Sequence, residues 1–337
     1  MRQIEKTNKK GVLRKLLIKL CRLLGYELID QADMSFVTSL DQDKASIIGN
    51  KSIALPLGEI KIKRKIHSLD IILKTCTSVN LVTQNKKRIF EQKKSEYTFR
   101  TINSLLKSLK KAEEETKNIK FQITIIDSGS SESDKKTFRE ILEKSNFNFH
   151  LINLNLNDYL KRIKVIKKNN SQIESNMKST MASIIKSIEI SKNLNDLVYF
   201  VEDDYIHSLD CISEMISVYE KFSTIFEDEI FLVPVDYPYL YQKNQSTNMM
   251  IGQKYHWRSV KESLLTFLTS KKMISKYYDD LIKMGEVEHA PYEKMLHNIY
   301  EKEKCFSPVP SLALHCTNVN SVFGLSPTIN FKKLWED

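Results

Sequence analysis

Glycine and proline are scarce in this 337-residue chain, at eight and seven residues, which excludes fibrous and linker-dominated classes. The motif GxxxxGK[ST] occurs nowhere, so an apolar strand ending in acid cannot be read as part of a P-loop nucleotide hydrolase. The five cysteines (Cys21, Cys76, Cys211, Cys305, Cys316) are scattered, odd in number and without a CxxC pair. They suggest neither a zinc site nor a disulfide framework, and a reducing, cytosolic setting is expected. No run approaches 18 apolar residues, so no membrane span is expected. The N-terminus also lacks the unbroken apolar stretch of a secretory signal, because Lys and Arg recur through it.

Charge of one sign is present but unevenly placed. Of the net +10, residues 1–24 hold eight Lys/Arg against one Glu, a net of +7 that leaves +3 for the remaining chain. A basic nucleic-acid-binding fold is therefore a poor explanation of the balance, and no nucleic-acid partner is expected. Residues 11–25, GVLRKLLIKLCRLLG, read as an amphipathic helix. Val12, Leu13, Leu16, Leu17, Leu20, Leu23 and Leu24 recur at helical spacing, with Arg14, Lys15, Lys19 and Arg22 largely opposite. Such a helix suits an anionic membrane surface, and it equally suits docking on a protein. The expected location is cytoplasmic, with peripheral attachment to the inner face of the membrane as one option. Residues 1–66 read as this helix plus a connector, and a single larger domain is expected over 67–337.

From His67 onward strands and helices alternate. Leu69–Lys74, Phe121–Ile126, His150–Leu154 and Leu197–Val201 are strand candidates. Helices are expected over Phe99–Ala112, from the Asp127–Asp134 turn to about Lys144, and over Lys178–Lys192. This alternation implies an α/β fold with a mixed, mainly parallel sheet. The most informative stretch is Leu197-Val198-Tyr199-Phe200-Val201-Glu202-Asp203-Asp204, where an apolar strand ends in three carboxylates. Such groups repel one another unless a cation lies among them, and Mg²⁺ or Mn²⁺ takes oxygen ligands of this kind. The bland alternative is an acidic turn that caps the next helix. A second strand ends in Asp127-Ser128-Gly129-Ser130, a turn-rich polar segment. Ligands of open α/β sheets bind at the carboxyl ends of strands, so both ends are candidate sites.

The ordered pair of motifs, Asp127-Ser128-Gly129-Ser130 and then Glu202-Asp203-Asp204, resembles the GT-A fold glycosyltransferases, which are Rossmann-like enzymes of nucleotide-diphosphate sugars. The second motif stands where that family has DxD, with Glu in the first position. Over about residues 67–337 the resemblance implies a metal-dependent transferase moving a sugar from a nucleotide-sugar donor to a glycan, lipid-linked or other hydroxyl acceptor. Bacterial surface polysaccharide or glycolipid synthesis is the implied context. Asp204, with Glu202 and a late-strand histidine, His315, would hold Mn²⁺ or Mg²⁺. Asp127, Ser128, Gly129, Asp203 and Arg100 would contact the nucleotide. The acceptor base would be a carboxylate at a late helix start, with Glu288 first, Glu286 second and Asp236 a rival. The family's Glu-Asp pair is missing there, since His289 follows Glu288. A sugar-phosphate nucleotidyltransferase shares the plan but would carry a Gly-rich loop near its first strand, and glycine is absent between Gly58 and Gly129. A degenerate GT-A domain acting as a non-catalytic sugar-nucleotide-binding or membrane-surface adaptor is the competing function. Phe323–Pro327 and Trp335 read as a tail folded back over the domain.

Overall fold

Leu197–Val201 lie between 0 and 4% exposed in a computed structural model of the chain, as a strand covered on both faces must. The structure describes residues 12–26, 51–54, 58–78, 90–116, 118–166, 171–242, 246–316 and 329–336. The connector over 27–50 and the Phe323–Pro327 tail segment fall outside them. The chain divides into two units, residues 1–47 and 48–337. In the first, helix α1 spans Val12–Leu23 and is followed by Gly25 in the left-handed region, φ 81°. Among the described residues no helix is long and apolar enough to cross a membrane.

The second unit opens with a hairpin of β1 (Lys51–Ala54) and β2 (Gly58–Lys61). Then come β3 (Ser68–Thr75), α2 (Lys94–Glu115), β4 (Lys120–Asp127), α3 (Glu132–Glu143), β5 (Asn148–Asn153), α4 (Ser171–Ser191) and β6 (Leu197–Glu202). A short β7 (Tyr205–His207) and α5 (Cys211–Phe226) follow. The remainder contains β8 (Phe231–Leu232), β9 (Met249–Ile251), β10 (His256–Ser259), β11 (Phe267–Ser270), α6 (Lys271–Lys276), α7 (Tyr278–Glu286), α8 (Lys294–Tyr300), β12 (Cys305–Val309), β13 (Ala313–His315) and α9 (Phe331–Glu336). The strands expected from Leu69, Phe121, His150 and Leu197 are all present, and α2 and α4 start several residues earlier than their apolar periodicity indicates.

The main sheet runs β5-β4-β3-β6-β11-β8-β12-β10-β9. The first four strands are parallel, and beyond β6 the pairing is mixed, with β11 antiparallel to both β6 and β8. This is the α/β arrangement with a mixed sheet that the alternation of strands and helices implied. β3, β4 and β6 end at one edge, at Thr75, Asp127 and Glu202. β7 and β13 form a separate antiparallel ribbon just past that edge.

Helices cover the sheet, with α2 against α5 and α4 against α7. The α4–α7 crossing depends on Gly285. A Cβ there would stand 2.6 Å from Ile185 Cγ1 and 2.8 Å from the Met181 carbonyl oxygen. The backbone of α4 cannot retreat without disturbing the core, so overpacking is the expected result. Gly285→Ala should cost about 1–3 kcal/mol, read as a shift of the denaturant midpoint; an unchanged midpoint would show that the crossing has slack.

Candidate active site

The three carboxylates at the end of β6 have three different environments, because strand alternation and the turn send them in different directions. Asp203 points into the protein and is 9% exposed. Its Oδ2 accepts from the Cys76 N–H and the Thr98 hydroxyl, both at 3.0 Å, and its Oδ1 from Lys94 Nζ at 2.5 Å. It therefore fastens the loop after β3 and the first turn of α2 to the end of β6. Glu202 accepts from Lys74 Nζ at 3.4 Å. Asp204 lies beside the β7–β13 ribbon, and the ribbon's register pairs His315 with Tyr205. That register brings His315 Nε2 to 3.7 Å from Asp204 Oδ1. The imidazole is stacked on the Tyr205 ring at 4.6 Å, and the Tyr205 hydroxyl meets that of Tyr237 at 2.8 Å. Cys316 N–H donates to the Asp204 carbonyl at 2.7 Å, which locks the turn.

Lys94 Nζ also stands 3.8 Å from Asp204 Oδ2. Two lysines thus answer the charge of the triplet, and the N-terminus of α2, which begins at Lys94, adds its positive dipole end. Asp204 and His315 retain partial exposure, with 16 and 13% of their side chains accessible. A carboxylate oxygen and an imidazole nitrogen at this separation suit one divalent cation whose other ligands come from water or phosphate oxygens. Among the described residues no group of three or more His, Cys, Asp or Glu is arranged to hold a metal.

Asp127 ends β4 and is 3% exposed. Its carboxylate accepts from the Thr75 hydroxyl at 2.9 Å and from the Ser130 and Gly129 N–H groups at 3.1 and 3.3 Å. It shapes the 127–131 turn from inside. Ser128 N–H and hydroxyl both donate to the Thr75 carbonyl, and Thr77 N–H donates to the Ser130 hydroxyl at 3.0 Å, so the loops after β3 and β4 are fastened together. Gly129 has φ 151°, and a Cβ there would lie 3.1 Å from Ser78 Oγ and 3.3 Å from Cys76 Sγ. Glycine allows this close approach.

The other sequence candidates are spread around this centre. Arg100 pairs with Glu96 at 2.7 Å, donates to the Trp335 carbonyl and lies over the Trp335 ring at 4.3 Å. Trp335 also stacks on Phe90 at 3.9 Å, so α9 packs over the first turns of α2. Glu286 pairs with Arg162 at 3.1 Å, and Glu288 accepts from the Ile166 N–H at 2.8 Å. Both lie along the bridge between Lys164 and Val287, where they hold the 162–166 segment. Asp236 is 1% exposed and is held by Arg258 at 2.7 Å, with the Tyr241 hydroxyl on its other oxygen. The fold brings Glu202, Asp203, Asp204, His315 and the Asp127 turn to one sheet edge, while Arg100, Glu286, Glu288 and Asp236 each make the contacts just named.

One further carboxylate, electrostatically coupled to Glu202, was not singled out from sequence. Glu293 immediately precedes α8. Burial, reinforced by the negative charge of Glu202, pushes its carboxyl up to about 7, while Lys74 acts in the opposite direction. Among the described residues, the neighbouring Tyr292 hydroxyl and His289 Nε2 are buried without a hydrogen-bond partner. The signal available in sequence was Pro291-Tyr292-Glu293 ahead of the apolar-periodic Lys294–Tyr300, a helix start one segment later than Glu288.

No family model matches the chain, and no curated protein matches it. Among solved structures it is similar to residues 1–349 of TarS from S. aureus, at 10% identity and TM-score 0.34 over 63% of this chain. That match spans about half, 49%, of the TarS fragment. It is similar to the galactosyltransferase LgtC in complex with donor and acceptor sugar analogues, at 13% identity and TM-score 0.36, over 70% of each chain. It is also similar to a UDP-glucose pyrophosphorylase complexed with UDP-glucose, at 10% identity and TM-score 0.38, over 77% of this chain and 96% of the other.

Proposed function

We propose that the protein is a glycosyltransferase that moves a sugar from a nucleotide-diphosphate donor to a hydroxyl acceptor. The observation that carries this reading is the approach of Asp204 and His315 to 3.7 Å at the carboxyl edge of the parallel strands, with Lys94 alongside. A carboxylate, an imidazole and a lysine around one partly open point suit a diphosphate with its cation. Mn²⁺ or Mg²⁺ held by Asp204 and His315 would supply Lewis-acid neutralisation of the charge on the departing diphosphate. Lys94 and Lys74 add fixed positive charge next to it. The 127–131 turn, shaped by Asp127 and opened by Gly129, offers backbone for the nucleoside to lie against.

In the transfer, the acceptor oxygen forms a bond to the anomeric carbon as that carbon's bond to the diphosphate oxygen breaks. The electron pair of the broken bond leaves with the diphosphate. The acceptor proton would pass to a carboxylate, for which we take Glu293, raised by burial to about 7, as the candidate base. Tyr292, on whose hydroxyl Glu293, Glu202 and Glu288 all act, suits the hydroxyls of an acceptor sugar.

Thermal stabilisation by UDP, GDP, CDP, TDP and CMP, each with Mn²⁺ and with EDTA, tests the donor class. A ligand at about 100 times its Kd adds roughly 2.7 kcal/mol, so one diphosphate that stabilises with Mn²⁺ and not with EDTA is the expected result. No shift with any nucleotide would overturn the transferase reading and favour a non-catalytic adaptor.

A further inference from the structure

Helix α1 carries an exposed apolar surface. At ~100° per residue Val12, Leu13, Leu16, Leu17, Leu20, Leu23 and, just past the helix end, Leu24 fall within an arc of about 140°, with the half-buried Ile18 alone among the large apolar side chains outside it. They are exposed, from 50% at Leu17 to 86% at Leu13. Lys15, Lys19 and Arg22 are exposed on the remaining face. We propose that α1 is a docking surface for an anionic lipid bilayer, lying in the plane of the headgroups with its leucines immersed and its cations against lipid phosphates.

Three observations favour a lipid surface over other covers. The helix has 12 residues. That is about 18 Å of rise, too short for a hydrocarbon core of roughly 30 Å, yet long enough to lie along its surface. The arc is wider than the narrow seam of a two-stranded coiled coil and shorter than two full heptads. A second copy would also bring its own cations, and residues 1–24 carry a net +7, so pairing would set like charges side by side. An anionic bilayer satisfies both faces at once, the leucines by burial and the cations by surface potential.

The experiment is flotation of the full chain with phosphatidylcholine vesicles and with equimolar phosphatidylcholine–phosphatidylglycerol vesicles, at low and high salt. The wild type should float with the anionic vesicles, about tenfold less with the zwitterionic ones, and less at high salt. Leu16→Glu/Leu20→Glu should abolish flotation, and Lys15→Glu/Lys19→Glu should reduce it by at least about tenfold. An unchanged melting temperature in both variants would show that the larger unit is intact. Absence of wild-type flotation, or equal flotation of wild type and variants, would overturn the proposal. So would light scattering that shows a wild-type dimer and a Leu16→Glu/Leu20→Glu monomer, since a second copy would then cover the face. The nucleotide-binding result bears on none of these outcomes.

Discussion

Asp204→Asn is expected to lower sugar transfer on the order of 10²–10³-fold while leaving the melting temperature close to wild type. The substitution keeps the shape of the side chain and removes its charge. Asp204 is the member of the triplet that faces His315, so under the proposed function its loss falls on the electrostatics of the leaving diphosphate. Asp203→Asn should behave in the opposite way. Lys94 and Asp203 are both buried, 8 and 12% exposed at their side chains. Removing one partner of such a pair leaves a buried charge uncompensated and costs about 3–5 kcal/mol. The cost should fall near the lower end, because Asp204 remains 3.8 Å from Lys94. Steady-state transfer assays with thermal melts separate the two roles. Wild-type rates in Asp204→Asn would sink the assignment of the diphosphate site.

The contrast between neighbouring aspartates shows what the sequence could and could not convey. Leu197–Val201 announced a buried strand because a strand covered on both faces must be apolar throughout, and the carboxylates at its end marked the sheet edge where ligands bind. Their division of labour was hidden, because it depends on long-range partners. Cys76, Lys94 and Thr98 lie 127, 109 and 105 residues away from Asp203 in the chain. His315 was legible as a histidine ending a late strand, but its approach to Asp204 depends on the two-strand ribbon with β7, whose segments are only three residues each. Segments so short carry little periodicity. Arg100 showed only a cation near a helix start, and its engagement by Trp335 depends on a tail 235 residues further on.

Two helix boundaries late in the chain carry carboxylates. α7 ends at Glu286, and Val287 then bridges to Lys164 before α8 starts after Glu293. Glu286 and Glu288 follow a glycine and precede a proline, so they read as a boundary, which they are. They belong to the boundary that closes α7, and Glu293 belongs to the one that opens α8. The same local chemistry, a carboxylate near a helix terminus, thus serves fastening at one end of an eight-residue stretch and, in the proposed function, proton transfer at the other.

Glu293→Gln should therefore lower the maximal transfer rate by about 10²–10⁴-fold, the usual contribution of a positioned base. Donor binding should be nearly unchanged, because the amide keeps the shape of the side chain. In the wild type, the rate should rise with pH through about 7, since the carboxylate must be ionised to accept the proton. Stability should move the other way. The folded carboxyl, raised from 4.5 to about 7, holds its proton more tightly than the unfolded chain does. Its favourable contribution is complete below the unfolded pKa and is lost as pH rises through the folded one. Glu293→Gln keeps a neutral group at every pH, so it should gain stability relative to wild type on going from about pH 4.5 to above pH 7. A rate profile flat across neutrality, together with near-normal turnover in Glu293→Gln, would move the base to another residue. A Gln variant that loses turnover and also loses the pH-dependent stability difference identifies one carboxyl as the source of both effects.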